Sequence, residues 1–267
     1  MGAPSASSTN FDPIARVYNL SRGYPAEVAQ EITRSLRAII PEDHRRALEP
    51  GAGTGLFTQY CVGLFRLYIC LDISPRMLQQ LHDGFGHLPH LVAMVGDVAR
   101  LPFLDGSFDT VIAAKLLRHV GEWRTALREI RRVLRPGGLF LHVEEAWLER
   151  TEASAVRPRW QQILAELGYA PHEHPGPTTN EPILEEWRSL GAQKLEVVPL
   201  ASWLSPSSPA AVINHLARRG GSSTLAIPED ILAESIRQLR SWAAERWADP
   251  EAVEHKRKGL EAIVVQV

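Results

Sequence analysis

The sequence predicts an α/β fold: a doubly wound, mostly parallel sheet with helices on both faces. Two observations predict it. Short apolar runs alternate with helix-periodic segments of about ten residues between Ala47 and Val143, the pattern of βαβ units. A glycine cluster, Gly51, Gly53 and Gly55, joins the first run to the segment behind it. Right-handed crossovers then put a ligand crevice at the carboxyl ends of the strands, where this cluster lies.

Residues 1–10 are rich in Ser, Ala and Thr and are expected to be disordered. From Pro25 to Ile40, Val28, Ile32, Leu36 and Ile39 recur at helical spacing, with Pro25 in a first turn and Pro41 as a stop. Ala47-Leu48 begins the first strand, and Leu56, Tyr60 and Leu64 fit one face of a helix after the glycines. Leu67 to Leu71 is a second strand that ends at Asp72. Ser74-Pro75 opens the next helix as N-cap and first-turn proline, carrying Met77, Leu78 and Leu81. Leu91 to Val95 and Thr110 to Ala114 are the third and fourth strands. An amphipathic helix runs from Trp123 to Leu134, closed by Arg135-Pro136-Gly137-Gly138, and Leu139 to Val143 is the fifth strand.

Beyond Trp147 the pattern changes. Residues 151–192 read as two helices around a polar loop, and Leu195 to Trp203 as a strand. Residues 207–258 read as mostly helical with a break at Gly220-Gly221-Ser222-Ser223, and Leu260 to Val267 as a terminal strand, the seventh. Six of the seven Trp lie in 147–267, so this half carries bulky material for a core or a pocket wall.

Composition excludes several classes. The 267 residues hold 29 Lys plus Arg against 31 Asp plus Glu, a formal charge of −2, which is not the concentrated positive field of a nucleic-acid or acidic-lipid binder. Arg66 and Asp72 interrupt the longest apolar stretch, so no membrane span is expected. The N-terminal segment lacks a basic start and an apolar core, and the expectation is a soluble, cytoplasmic protein. Two cysteines, Cys61 and Cys70, cannot build a metal cage by themselves, and His172-x-His174 has no clustered ligands beside it, so no metal site is expected.

The segment from Ala47 to Gly55 offers a backbone that can touch a ligand and, behind it, a helix start with free N–H groups. Dinucleotides and S-adenosylmethionine both use such a loop. The dinucleotide fingerprint wants a small third residue, and Leu56 stands there. The spacing is E-x-G-x-G-x-G from Glu49, and Asp72 follows 21 residues after Gly51, where a carboxylate can take both hydroxyls of a ribose.

Here the sequence resembles the class I S-adenosylmethionine-dependent methyltransferases, and within them the type 11 group. Gly96-Asp97 ends the third strand; Leu101-Pro102-Phe103 with Asp105-Gly106-Ser107-Phe108-Asp109 resembles that group's L-P-F-x-D-x-S-F-D signature. Leu117-Arg118-His119-Val120 stands where such proteins often carry L-H-H-V, and Leu134-Arg135-Pro136-Gly137-Gly138 resembles their V-L-x-P-G-G turn. Phe11-Asp12 through Tyr18, Arg22, Tyr24 and Pro25 resembles the N-terminal Y-x-x-x-R segment. The resemblance covers residues 11–145 and architecture alone beyond Trp147. It implies a Rossmann-like seven-stranded sheet with the last strand antiparallel and helical lid insertions. Residues 11–147 would be the cofactor-binding core with an N-terminal helical cover, and 148–267 the lid or substrate-pocket segments plus the last two strands.

The resemblance also implies roles. Gly51, Ala52 and Gly53 line the methionyl part of the cofactor, and Glu49 binds its amino group, or else stabilises the loop. Asp72 binds the ribose hydroxyls. Ile73 and Met77 pack on the adenine, although Met77 reads equally as core. Asp97 accepts from the adenine amino group, or is a solvated turn residue, and the Val98 backbone touches the ring. Ala114 and Lys115 lie beside the methyl group, with Lys115 either shaping the substrate site or snorkelling to the surface. Tyr18 and Arg22 form the N-terminal cover, Arg22 reaching the methionyl carboxylate or staying on the surface. His119 is the candidate general base, against a structural histidine after the fourth strand. Glu144 and Glu145 face the cleft or cap the next segment. Trp147, Trp160 and the loop from Gly220 to Thr224 are expected to help form an acceptor pocket.

The implied activity is methyl transfer from S-adenosylmethionine to a small-molecule acceptor, by a monomer or homodimer without nucleic acid or membrane. A non-catalytic cofactor-binding protein and a nicotinamide-dependent oxidoreductase are the rival readings.

Overall fold

The computed structural model describes residue 11 and residues 23–169, 174–220, 222–224 and 227–267. Its strands are β1 (Arg46–Pro50), β2 (Leu67–Asp72), β3 (Leu91–Val95), β4 (Phe108–Ala114), β5 (Leu134–Trp147), β6 (Lys194–Ser207) and β7 (Glu254–Gln266). Its α-helices are α1 (Ala26–Ile39), α2 (Thr58–Cys61), α3 (Pro75–Phe85), α4 (Trp123–Val133), α5 (Val156–Glu166), α6 (Glu181–Ser189), α7 (Pro209–Ala217) and α8 (Glu229–Arg246). The seven strands form one sheet in the order β3-β2-β1-β4-β5-β7-β6.

The first five strands pair in parallel. β7 reverses the direction: Gly137 at the start of β5 donates to Val267 O and Val267 donates back to Gly138 O, while Gln193, just before β6, donates to Gln266 O. The sheet is therefore the expected mostly parallel one with its last strand antiparallel. Where β1 turns to α2, β2 to α3, β3 to its loop and β4 to the next turn, all four chains leave from one edge. Extending the pair Leu48 with Val111 brings Ala114 level with Gly51.

Local signals explain these elements. Pro25 precedes α1, whose Val28, Ile32 and Leu36 form the buried stripe. Ser74 caps α3 by accepting from Met77 N, with Pro75 at the first helical position. Three segments differ from the sequence reading. The helix behind the glycines is a single turn continued as a 3₁₀ turn over Val62–Leu64, and its buried residues are Thr58, Tyr60 and Cys61; Gly63 is a poor helix former. β5 starts at Leu134, so the Arg135-to-Gly138 turn lies inside it, because Val267 recruits the two glycines and a register shift between Phe108 and Thr110 absorbs them. β7 begins at Glu254, so the end of the region read as helical is strand.

The chain divides into two compact units. The first holds the described residues up to Glu145 with His174–Ala201 and Leu260–Val267. Its core packs Phe140 of β5 on the fully buried Trp187 of α6, ring centroids 5.1 Å apart, with Trp123, Leu127 and Ile130 of α4 in the same cluster. Asp109 fastens β4 to the entry of β1: one oxygen accepts from Arg45 N and Arg46 N at 2.9 and 2.8 Å, the other from Arg46 and Arg135 side chains. Burial alone would raise this carboxyl, but the amides and guanidiniums outweigh it and hold it well below the usual range. Its stabilising effect is thus present above the unfolded carboxyl pKa and lost in acid. Asp109→Asn is expected to lower the urea unfolding free energy at pH 7 by about 1–2 kcal/mol, with the difference from wild type shrinking as pH falls below 4.

The second unit, within Ala146–Glu173 and Ser202–Gly259, has its own core. Val156, Trp160, Ile163 and Leu164 of α5 pack with Ile213 and Leu216 of α7 and Leu232, Ile236, Leu239 and Ala243 of α8. Trp160 is 2% exposed and its indole N–H donates to Ser235 Oγ at 3.0 Å. It is a core residue of this unit and has no surface left for the acceptor pocket expected of it. Trp160→Phe is expected to cost about 1–2 kcal/mol by urea unfolding, from a lost hydrogen bond and a small void. Thr224 is likewise fully buried. The side chains of Trp147 and Ser222, and residue 221, lie outside the described residues.

Among the described residues no helix is long and apolar enough to cross a membrane, and no group of three or more metal-ligating side chains occurs.

Candidate functional site

The glycines build the loop that leaves β1. Gly51 and Gly53 hold φ of +69° and +57°, where a side chain is strained. A Cβ on Gly51 would stand 2.5 Å from Leu116 Cδ1, whereas one on Gly53 would meet nothing within 4 Å. Gly51 therefore lets the loop pack on the end of β4, and Gly53 keeps the space above the loop open. The loop is tied to β2 at both levels: Gly51 N and Ala52 N donate to Leu71 O, and Gly53 N donates to Asp72 Oδ2 at 2.8 Å. Asp72 Oδ1 accepts from Ser74 N at 2.8 Å. One carboxylate thus braces both the glycine loop and the turn into α3.

A cavity opens over this loop, and its chemistry is graded across the sheet edge. Three acids line it from adjacent strands: Asp97 after β3, Asp72 at the end of β2 and Glu49 on β1. Ile73, Met77, Val98 and Ala114 give it apolar walls, and Met77 and Val98 are also buried in the core. From the end of β4 come Lys115 and, one turn on, His119. The expected cofactor-site residues among the described ones, and His119, therefore line the same space, whereas Glu144, Glu145, Trp160 and Thr224 do not. Tyr18 and Arg22, and His172 of the two-histidine motif, lie outside the described residues.

Glu49 is 1% exposed, and its Oε2 accepts from Thr58 Oγ1 at 2.6 Å and from Tyr68 OH at 2.9 Å. Burial pushes its carboxyl up to about 7, against the pull of those two donors. Tyr68 OH also lies 2.8 Å from Cys61 Sγ. Sequence reasoning missed Thr58 and Tyr68 as partners, although Tyr68 and Cys70 sit two apart on β2 and so share one face of the strand. Asp97 Oδ1 accepts from Ala99 N at 2.9 Å, a local turn bond that fixes the loop after β3.

The β4 end is held differently. Lys115 has φ +53°, a left-handed backbone that costs a non-glycine residue on the order of 1 kcal/mol. Its N–H donates to Val143 O, its ammonium donates to Glu145 Oε1, and it lies 5.4 Å from the centroid of the Tyr24 ring. Tyr24 OH donates to the same Glu145 oxygen at 3.3 Å. Burial, then the Glu145 carboxylate, pushes the Tyr24 phenol far up, so it stays a donor. Beside this group Arg118 pairs with Glu144 at 2.9 Å. His142, 2% exposed, is pushed down to about 3 by burial and then by Arg118, so it is neutral. Glu144 and Glu145 are thus both engaged with cations from the turn after β4.

His119 is edge-on to Phe11 and to His174, with ring centroids at 5.0 and 5.3 Å. His174 arrives on a segment that crosses the turn from Leu117 to Val120: Gly176 N donates to Arg118 O, and a Cβ on Gly176 would strike the carbonyl oxygens of Leu117 and Val120. Only glycine permits that approach.

The family model described as methyltransferase domain matches residues 48–142. Over 163 residues the chain is 32% identical to the malonyl-[acyl-carrier protein] O-methyltransferase of Erwinia pyrifoliae, covering 59% of this chain and 57% of that protein. The chain thus spans little more than half that relative's length. It is 28% identical over 239 residues to the uncharacterized methyltransferase Mb3374 of Mycobacterium bovis, covering 89% of this chain and 86% of that one. The crystal structure of YcgJ from Bacillus subtilis superposes with a TM-score of 0.57 at 19% identity, covering 89% of this chain and 97% of that chain, a likeness of fold.

Proposed function

We propose, from the premise that residues 48–142 are a class I methyltransferase domain of the type 11 group, that this chain moves a methyl group from S-adenosylmethionine to a small-molecule acceptor. The observation that carries the reading is the row of acids, Glu49, Asp72 and Asp97, around a glycine loop at the ends of three adjacent strands. That set of acceptors suits a ligand bearing an ammonium, a ribose diol and an adenine amino group, and its negative charge suits a sulfonium. Asp72 would serve the ribose of a dinucleotide equally well, but Glu49 beside the glycine loop would repel a pyrophosphate there, and Leu56 stands where the dinucleotide fingerprint wants a small residue.

Asp72 takes the ribose hydroxyls while bracing Gly53. Glu49 takes the methionyl ammonium, which also repays the burial of its charge. Asp97 accepts from the adenine amino group, the Val98 backbone touches the ring, and Ile73 and Met77 pack on it. Gly51, Ala52 and Gly53 line the methionyl chain, and Ala114 lies beside the transferred methyl. The bound cofactor supplies a methyl group already activated on a sulfonium. The chain's own part is to hold the acceptor close, aligned in line and dry. His119, wedged between the rings of Phe11 and His174, is a wall of that space.

The reading is tested by incubating the full chain with methyl-labelled S-adenosylmethionine and the low-molecular-mass fraction of a cell extract. Formation of S-adenosylhomocysteine that depends on the fraction is the expected result. Cofactor binding without turnover in any fraction would instead favour a non-catalytic binding protein.

A further inference from the structure

The charge gradient along the sheet edge has a second end. Across β3, β2 and β1 the cavity is lined by acids, and on the next strand, β4, the lining charge changes sign at Lys115. Among the described lining residues Lys115 is the one Lys or Arg. In the proposed complex the cofactor's one anionic group, the methionyl carboxylate, lies with the glycine loop and Glu49, whereas Lys115 lies beside Ala114 on the β4 side, facing what lies beyond the transferred methyl. We propose that Lys115 anchors an acceptor that reacts through an anionic oxygen, a carboxylate or a phenolate, rather than an amine. This inference rests on the methyltransferase reading.

Three features build Lys115 for that task. Its left-handed backbone persists although a lysine gains nothing locally from it; such strain is retained where surrounding structure enforces it, and here Val143 O holds the amide. The ammonium is fixed from two sides, by the Glu145 carboxylate and by the Tyr24 ring, and Tyr24 OH pins the same carboxylate oxygen. Glu145 is the one hydrogen-bond acceptor for this ammonium among the described residues, and an ammonium has three donors. The remaining donors suit an acceptor oxygen at the β4 side of the cavity. Such a contact favours the ionised, nucleophilic form of an acid or phenol, and it penalises entry of a protonated amine. In the transfer the acceptor's oxygen lone pair forms the new bond to the methyl carbon as the sulfur–methyl bond breaks. The acceptor's negative charge and the sulfonium's positive charge cancel, so a carboxylate acceptor has no proton to lose.

The test uses full-length protein saturated with S-adenosylhomocysteine and a matched pair of probes, benzoate and benzylamine, titrated by calorimetry. Benzoate is expected to bind about tenfold more tightly than benzylamine. Lys115→Asn, whose side chain tolerates the left-handed backbone, should abolish that preference while holding S-adenosylhomocysteine affinity within about threefold. Glu145→Gln, which removes the competing carboxylate, should move the other way and tighten benzoate about threefold. Equal binding of the two probes, binding of neither, a preference for benzylamine, or a benzoate preference that survives in Lys115→Asn would each overturn the proposal. Should wild-type protein fail to bind S-adenosylhomocysteine at all, the methyltransferase reading itself falls, a result visible before either probe is added.

Discussion

Asp72→Ala is expected to weaken S-adenosylhomocysteine binding about 100-fold or more. The side chain contributes twice. In the proposed complex its carboxylate takes two ribose hydroxyls, and hydrogen bonds to a charged group are worth about 1.5–3 kcal/mol each. It also holds Gly53 N and Ser74 N at 2.8 Å, so its loss loosens the floor of the cavity before any ligand arrives. Asp72→Asn separates the two effects. Its amide oxygen can keep one of the two backbone bonds, so stability should fall less than in Asp72→Ala, while affinity falls in both. A calorimetric titration of all three proteins measures this. Unchanged affinity in Asp72→Ala would remove Asp72 from the ligand site and leave it a brace.

Glu49→Gln is expected to stabilise the ligand-free protein and to weaken the ligand. The folded carboxyl, pushed up to about 7 from an ordinary 4.5, holds its proton more tightly than the unfolded one. Stability from this group is therefore full below pH 4.5 and falls as pH rises to 7, by as much as about 3 kcal/mol. A glutamine stays neutral, so above pH 7 the variant should melt higher than wild type. Ligand binding reverses the sign. A methionyl ammonium needs the ionised carboxylate, so wild-type affinity for S-adenosylhomocysteine should fall by up to about tenfold per pH unit below 7 and level off above it. Glu49→Gln should bind weakly with no such pH dependence. A variant less stable than wild type at pH 8 would contradict this account of Glu49.

What the sequence made legible were the features encoded within a few residues. Ser74-Pro75 announces α3, the alternation of short apolar runs with helices announces the parallel sheet, and the glycine spacing with Asp72 announces the loop. Gly51, Ala52, Ile73, Asp97 and Lys115 could be named because each lies one or two positions past a recognisable strand end, while the roles expected of them came from the family resemblance. Pairings across long stretches were not legible. Nothing near Gly137 signals that Val267 draws it into β5. Lys115 and Glu145 are 30 residues apart, and neither shows in the sequence that it pairs with the other. Trp160 illustrates a different difficulty: an aromatic residue in a helical segment fits a pocket wall and a core equally well, and burial against Ser235 decides it.

The central claim is that the glycine loop with Glu49 beside it and Leu56 behind it selects S-adenosylmethionine over a dinucleotide. The most direct measurement is a calorimetric titration of the full chain at pH 8 with S-adenosylhomocysteine and, separately, with NAD. Saturable binding of S-adenosylhomocysteine with no heat from NAD is the predicted result. Binding of NAD in preference to S-adenosylhomocysteine, or of neither, would contradict it.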